Sequence, residues 1–252
     1  MRRITRRRLL LACSTPMLAV AMASCTADGG FTEAPVIVNE SAAGIYAGAF
    51  TSTAGPEPID YQVTGIINKA LIGQFIVAGS DRHYSGRLSV FGSDLSGTLT
   101  QYRGVQDRFF GIDGVDSIAI AGRVVESDRI DGDYSGENDE GRPALTYDPS
   151  YETDSSLDKT SGIWMYSGAA GYTVTLTIEA NGDIFGSDTI GCVYSGRVAI
   201  LDRDYNVYRA VVLISDCGSI NDEYTGFAIL TDELTISVSN AVIAFVPILD
   251  KV

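Results

Sequence analysis

Residues 172–179 read Tyr-Thr-Val-Thr-Leu-Thr-Ile-Glu, large apolar residues alternating with hydroxyl or charged ones without a break. A period of two belongs to a strand with one buried face and does not fit a helix. Ala180-Asn181-Gly182-Asp183 follows, and Asn-Gly between apolar runs is the strongest short hairpin signal. Leu234–Ser239 repeats the alternation, and Asn240 then precedes a more continuously apolar run through Val246. Residues 117–125 and 207–215 are further strand-like runs. Beyond the N-terminal region no segment shows a sustained helical period with caps. The expected class is therefore all-β and antiparallel.

The two halves resemble each other in order. Gly44-Ile45-Tyr46 answers Gly162-Ile163-Trp164, and Tyr61-Gln62-Val63-Thr64 answers Tyr172-Thr173-Val174-Thr175. Tyr84-Ser85-Gly86-Arg87 recurs intact at Tyr194-Ser195-Gly196-Arg197, and Asp133-Tyr134-Ser135-Gly136 recurs loosely at Glu223-Tyr224-Thr225-Gly226. Four ordered matches predict a tandem duplication of a unit of about 90–110 residues, with roughly six to eight short strands each. Each unit is expected to be a small β-barrel or sandwich; the pattern leaves open whether the two close into one larger barrel. Tyr84, Gly86, Tyr194 and Gly196 read as architecture, tyrosine packing on a pleated surface and glycine allowing a bulge or close approach. The expected division is 1–24 signal peptide, 25–42 lipidated cysteine and tether, 43–147 first unit, 148–160 acidic linker and 161–252 second unit.

The signal-peptide reading rests on "MRRITRRR", five arginines without an acid, followed by a mostly apolar run from Leu9 to Ala23. Cys13, Ser14, Thr15 and Pro16 interrupt that run, which argues for cleavage over a membrane span. Met22-Ala23-Ser24-Cys25 resembles the lipobox of bacterial lipoprotein precursors, with Met22 in place of the usual Leu, Val or Ile. The resemblance implies that Cys25 becomes the new N-terminus and carries a diacylglycerol. Leu10-Leu11-Ala12-Cys13 fits the four-residue pattern but lies too close to the arginines. An ordinary cleavage near Ala23 is the alternative, giving a soluble secreted or periplasmic protein. Residues 5–11, Thr-Arg-Arg-Arg-Leu-Leu-Leu, are similar to a twin-arginine signal, so general and twin-arginine export both stay open. The second half, with "GIWMYSG", "GCVYSGRV" and "SDCGSINDEYTG", resembles a β domain of uncharacterised bacterial lipoproteins. Gly162-x-Trp164 is also similar to the opening strand of lipocalins, which a duplicated spacing speaks against.

Export sorts the cysteines: Cys13 leaves with the signal, Cys25 takes the lipid, and Cys192 and Cys217 are expected to form a disulfide in an oxidising compartment. Loss of residues 1–24, with five arginines and no acid, deepens the formal net charge from −14 to −19. Such a polyanion is repelled by nucleic-acid phosphates, so nucleic acid is excluded as a partner.

Motifs for chemistry are missing. There is no Gly-x-Ser-x-Gly elbow and no P-loop. The single histidine, His83, corresponds to Val193 in the repeat and is expected to be a surface or edge residue on a strand. Asp131-Gly132-Asp133-Tyr134-Ser135-Gly136 begins like a calcium loop, but Arg142 stands where the bidentate glutamate belongs. Asp131, Asp133, Asp139 and Glu140 are the weak metal candidates, with a solvated hairpin turn as the default; no cofactor is expected. No residue is singled out as catalytic.

The chain is thus expected to be a lipid-anchored protein of the cell envelope, at the outer membrane in a Gram-negative cell. The leading expectation is a non-enzymatic binding or structural module for an envelope protein or glycan. The alternatives are a barrel carrying a small apolar ligand and a carboxylate-dependent glycan hydrolase.

Overall fold

The computed structural model describes residues 37–77, 82–111 and 116–252. The signal peptide, the twin-arginine string, Cys25 and the tether as far as residue 36 lie outside the described residues. The first half supplies β1 (Gly44–Ser52), β2 (Ile59–Ile67), β3 (Ile72–Val77), β4 (Arg82–Phe91), β5 (Asp94–Gln106), β6 (Phe109–Gly111), β7 (Ser117–Val125), β8 (Arg129–Ser135) and β9 (Glu140–Asp148). The second supplies β10 (Gly162–Ser167), β11 (Thr173–Ile178), β12 (Asp183–Asp188), β13 (Val193–Ile200), β14 (Tyr208–Ser215), β15 (Asp222–Leu230), β16 (Leu234–Ser239), β17 (Ile243–Phe245) and β18 (Ile248–Lys251). The Asn181-Gly182 turn joins β11 to β12 with Gly182 at φ +88°, as the hairpin signal requires.

All pairings are antiparallel, and they close twice. In the first half β1 to β5 pair in succession, β5 continues to β7, β7 to β8, β8 to β9, and β9 returns to β1. In the second β10 to β16 pair in succession, β16 meets β18, and β18 returns to β10. The duplicated units are therefore two eight-stranded up-and-down barrels, not one larger ring. Eight strands enclose a space just wide enough for side chains to fill. Tyr46, Phe50, Phe75, Tyr84, Leu99 and Tyr134 fill the first interior, with Phe50 5.3–5.6 Å from the rings of Phe75, Tyr84 and Tyr134. Trp164, Leu176, Tyr194, Val212, Ile236 and Phe245 fill the second.

Three of the four repeat matches fall on equivalent strands: β1 with β10, β2 with β11, β4 with β13. Tyr46 and Trp164 even share a bond, each donating to the carbonyl four residues upstream, of Ala42 and of Thr160, at 3.1 and 2.7 Å. The fourth match sets Tyr134 on β8, the seventh strand of its ring, against Tyr224 on β15, the sixth of the other. It reflects shared barrel chemistry and not register. In the Tyr-Ser-Gly-Arg element, a Cβ on Gly86 would sit 2.1 Å from the Thr98 carbonyl oxygen and one on Gly196 2.0 Å from that of Val211. Glycine permits that approach of neighbouring strands.

The barrels are joined by backbone as well as by packing. β5 continues past its ring and pairs with β6, β6 pairs with β17, and β17 with β16. This ladder delivers Phe109 into the second core, against Phe245. Ile45, Ile66, Ile76 and Tyr102, outward-facing on the first barrel, pack with Phe227, Ile229 and Val246 of the second. Residues 149–160 form a 3₁₀ turn (Pro149–Glu152) and a one-turn helix, α1 (Leu157–Thr160), capped by Ser156 Oγ. Tyr151 in this stretch is buried and lies 4.6 Å from the ring of Tyr205. The disulfide Cys192–Cys217 forms, with a Cα separation of 4.6 Å, at the open end of the β13–β14 hairpin.

Candidate functional site

Strand alternation predicts that every second side chain faces away from the barrel interior, and normally such positions are solvated. Here β3 and β4 of the first barrel turn their outer faces toward β15 and β16 of the second, so polar outward residues become buried. His83 is 1% exposed, which corrects the expectation of a surface or edge residue: Tyr102 of β5 and Phe110 of β6, the strand that reaches over to β17, pack on its ring at 5.8 and 6.1 Å. Its Nε2 lies 2.8 Å from Gln74 Oε1, and Ser237 Oγ donates to the same oxygen at 2.9 Å. An amide oxygen only accepts, so His83 Nε2 carries the proton. Nδ1 is buried without a partner, and burial brings the imidazole down to about 3, keeping it neutral.

Beside this polar contact the two barrels leave a groove of about 360 Å³. Ile72, Gln74 and Ser85 line one wall, and Arg209, Thr225 and Phe227 the other. Asn68 and Leu201 continue it into a second hollow of about 210 Å³ bordered by Lys69, Tyr151, Asp202 and Tyr205. Lys69 donates to Asp202 at 2.6 Å and sits 4.2 Å above the Tyr205 ring, one clasp across the two barrels. Their hydrogen bond raises the Lys69 ammonium and holds the Asp202 carboxyl below its ordinary value. Both groups are exposed, so the pair orients more than it stabilises. Asp202 is the one carboxylate among the lining residues, while Arg209 forms no ion pair with any described residue. The groove therefore offers an unneutralised guanidinium, amides, hydroxyls and apolar surface together.

Comparison with known protein families, curated proteins and solved structures finds no match.

The residues singled out in the sequence lie elsewhere. Tyr84 and Tyr194 point into the barrels: Gln101 donates to the Tyr84 hydroxyl at 3.0 Å, and the Tyr194 hydroxyl donates to Asp188 at 2.6 Å. Burial raises both phenols. The acidic stretch from Asp131 is mostly strand β8 and not a hairpin turn; the turn follows, closed by Gly136 N to Asp139 O at 2.7 Å. Its carboxylates are separately engaged, Asp131 by Arg129 at 2.8 Å and Asp133 by Arg142 at 3.4 Å. Asp139 is buried, accepts from Ser52 Oγ at 2.7 Å and pairs with Arg82, whereas Glu140 is exposed on β9. Among the described residues no three His, Cys, Asp or Glu side chains are grouped to hold a metal. Gln74, Arg209 and Phe227 carried no signal in the sequence, because an outward strand position looks the same whether water or another barrel covers it.

Proposed function

We propose that this chain is an exported, lipid-anchored binding protein of the cell envelope, with Cys25 carrying the lipid, and that the groove between its barrels holds part of an envelope glycan. The observation that carries the ligand site is Arg209, a cation without an ion pair among the described residues in a chain of 32 acids and 18 bases, at the rim of a groove lined by amides, hydroxyls, Ile72 and Leu201. A groove of about 360 Å³ lies in the range of ligand pockets, roughly 300–1,000 Å³. One or two sugar rings would set apolar ring faces on Ile72 and the exposed Leu201 and their hydroxyls on Ser85, Thr225 and Arg209. The packed barrel interiors favour this reading over a carrier with an internal cavity. The single, clasped carboxylate of the groove favours it over a hydrolase that needs two.

Saturation-transfer NMR with fragments of envelope glycans tests the site. Binding is expected for the wild type and a loss of at least tenfold for Arg209→Ala, roughly 1.4 kcal/mol; equal binding by the variant refutes the assignment. Metabolic palmitate labelling tests the anchor, with label expected on the wild type and lost in Cys25→Ala.

A further inference from the structure

The duplication places a docking face on both barrels, and only one of them is covered. Register equates the outer faces of β1–β5 and β10–β14 residue by residue. Ile66 opposes Gln74 and Gln74 opposes Ser85 in the first barrel; Thr177 opposes Phe185 and Phe185 opposes Ser195 in the second. Ile45 thus corresponds to Ile163, Gln74 to Phe185, His83 to Val193 and Thr100 to Leu213. In the first barrel Ile45 and Gln74 are buried in the contact with the second barrel, and His83 is buried beside them under Tyr102 and Phe110. Their counterparts Ile163, Phe185 and Val193 are 47%, 51% and 40% exposed, and Leu213 is 46% exposed.

The centre of the free face is also uncharged. One row across five strands reads Ile163, Thr177, Phe185, Ser195, Leu213, and the neighbouring row runs from Met165 to Val193 through Thr175 and Ser187. Ionisable side chains border these rows: Glu223 opposite Leu213, Asp250 opposite Met165, and on the other side of Phe185 and Ser195 the exposed pair Asp183 and Arg197, 3.9 Å apart. An apolar and hydroxyl centre with a charged rim is the composition of a protein interface. In a chain with a formal net charge of −14, this is a surface on which a like-charged molecule can settle without setting carboxylate against carboxylate.

We propose that this face pairs two copies of the chain, β10–β14 of one barrel against β10–β14 of its partner about a two-fold axis. A head-to-tail contact is disfavoured by charge. The surface that receives the docking face within the chain, on β15 and β16, is already occupied. Its equivalent on the first barrel, the outer side of β7 and β8, carries Arg123, Arg129, Asp131 and Asp133. The face itself is the remaining uncharged complement, which makes the contact isologous. Five strands at about 4.8 Å spacing and two rows about 7 Å apart give a patch of roughly 20 by 14 Å, on the order of 300 Å², smaller than the ~800 Å² per partner of a tight complex. The dimer is accordingly weak and reversible.

Sedimentation velocity of the full chain over a concentration series tests this without reference to any ligand of the groove. A monomer–dimer equilibrium is expected for the wild type. Phe185→Asp should raise its dissociation constant at least tenfold, while Thr98→Asp, at an exposed site on β5 of the first barrel, should leave it unchanged. Circular dichroism of each variant checks that the fold is kept. A wild type that stays monomeric to roughly 1 mM, a mass series that grows beyond two, or a Phe185→Asp protein that dimerises as before each overturns the proposal.

Discussion

Phe109 belongs to the first half of the chain but stacks on Phe245 in the core of the second barrel, ring centroids 5.0 Å apart and planes 24° from parallel. Phe245 in turn stacks on Tyr194 at 5.1 Å. The contact makes the second core incomplete without a side chain from the first half. Phe109→Ala should therefore cost about 3–5 kcal/mol and split unfolding of the chain into two steps. Urea denaturation followed by Trp164 fluorescence, which reports the second core, checks this. A variant with an unchanged midpoint would show that the second barrel closes without the insertion.

His83 makes stability depend on pH. Its folded-state value of about 3 lies below the ordinary 6.5, so the unfolded chain binds the proton more readily. Its contribution is fully present above pH 6.5, falls by up to about 1.4 kcal/mol per pH unit as pH drops, and is exhausted near pH 3. Over the whole window the loss is on the order of 4–5 kcal/mol. Urea midpoints of wild type and His83→Gln at several pH values isolate this effect from that of the carboxylates. Parallel curves for the two proteins would mean that His83 is not buried neutral under Tyr102 and Phe110.

Asp139 and Arg82 form, among the described residues, the one ion pair with a nearly inaccessible carboxylate, its side chain 2% exposed and that of Arg82 20% exposed. Removing Arg82 leaves the buried Asp139 carboxylate with the Ser52 and Tyr134 hydroxyls alone. Arg82→Ala should destabilise the first barrel by about 3 kcal/mol, whereas Asp133→Ala, at an exposed pair, should change stability by less than about 1 kcal/mol. Thermal unfolding of the two variants measures the difference; equal effects would contradict the burial of Asp139.

The disulfide closes a loop with a sequence separation of 25. On the loop-entropy relation its loss costs about 3.5 kcal/mol. The paired change Cys192→Ala with Cys217→Ala should lower the denaturation midpoint followed by Trp164 fluorescence. Titration of free thiols before and after reduction establishes that the bond is present in the wild-type sample.

Alternation in residues 172–179 and 234–239, the Asn181-Gly182 turn and the recurring Tyr-Ser-Gly-Arg element were enough to determine the all-β class, the strands in those runs with their buried faces, and the doubling of the unit. Those features are local, since a strand's own period says which side chains leave the water and a glycine says where two strands must approach. Ring closure, by contrast, joins β1 to β9 and β10 to β18, segments whose sequences carry no mark of each other. The same locality hid the groove. Gln74, His83 and Ser237 occupy outward positions where a polar residue ordinarily meets solvent, and only tertiary packing turned them inward. The second barrel's equivalent face kept its exposed Phe185 and Leu213. Sequence thus determined which face of each strand looks out, and tertiary structure decided what that face meets, because burial of an outer face depends on a neighbour more than a hundred residues away.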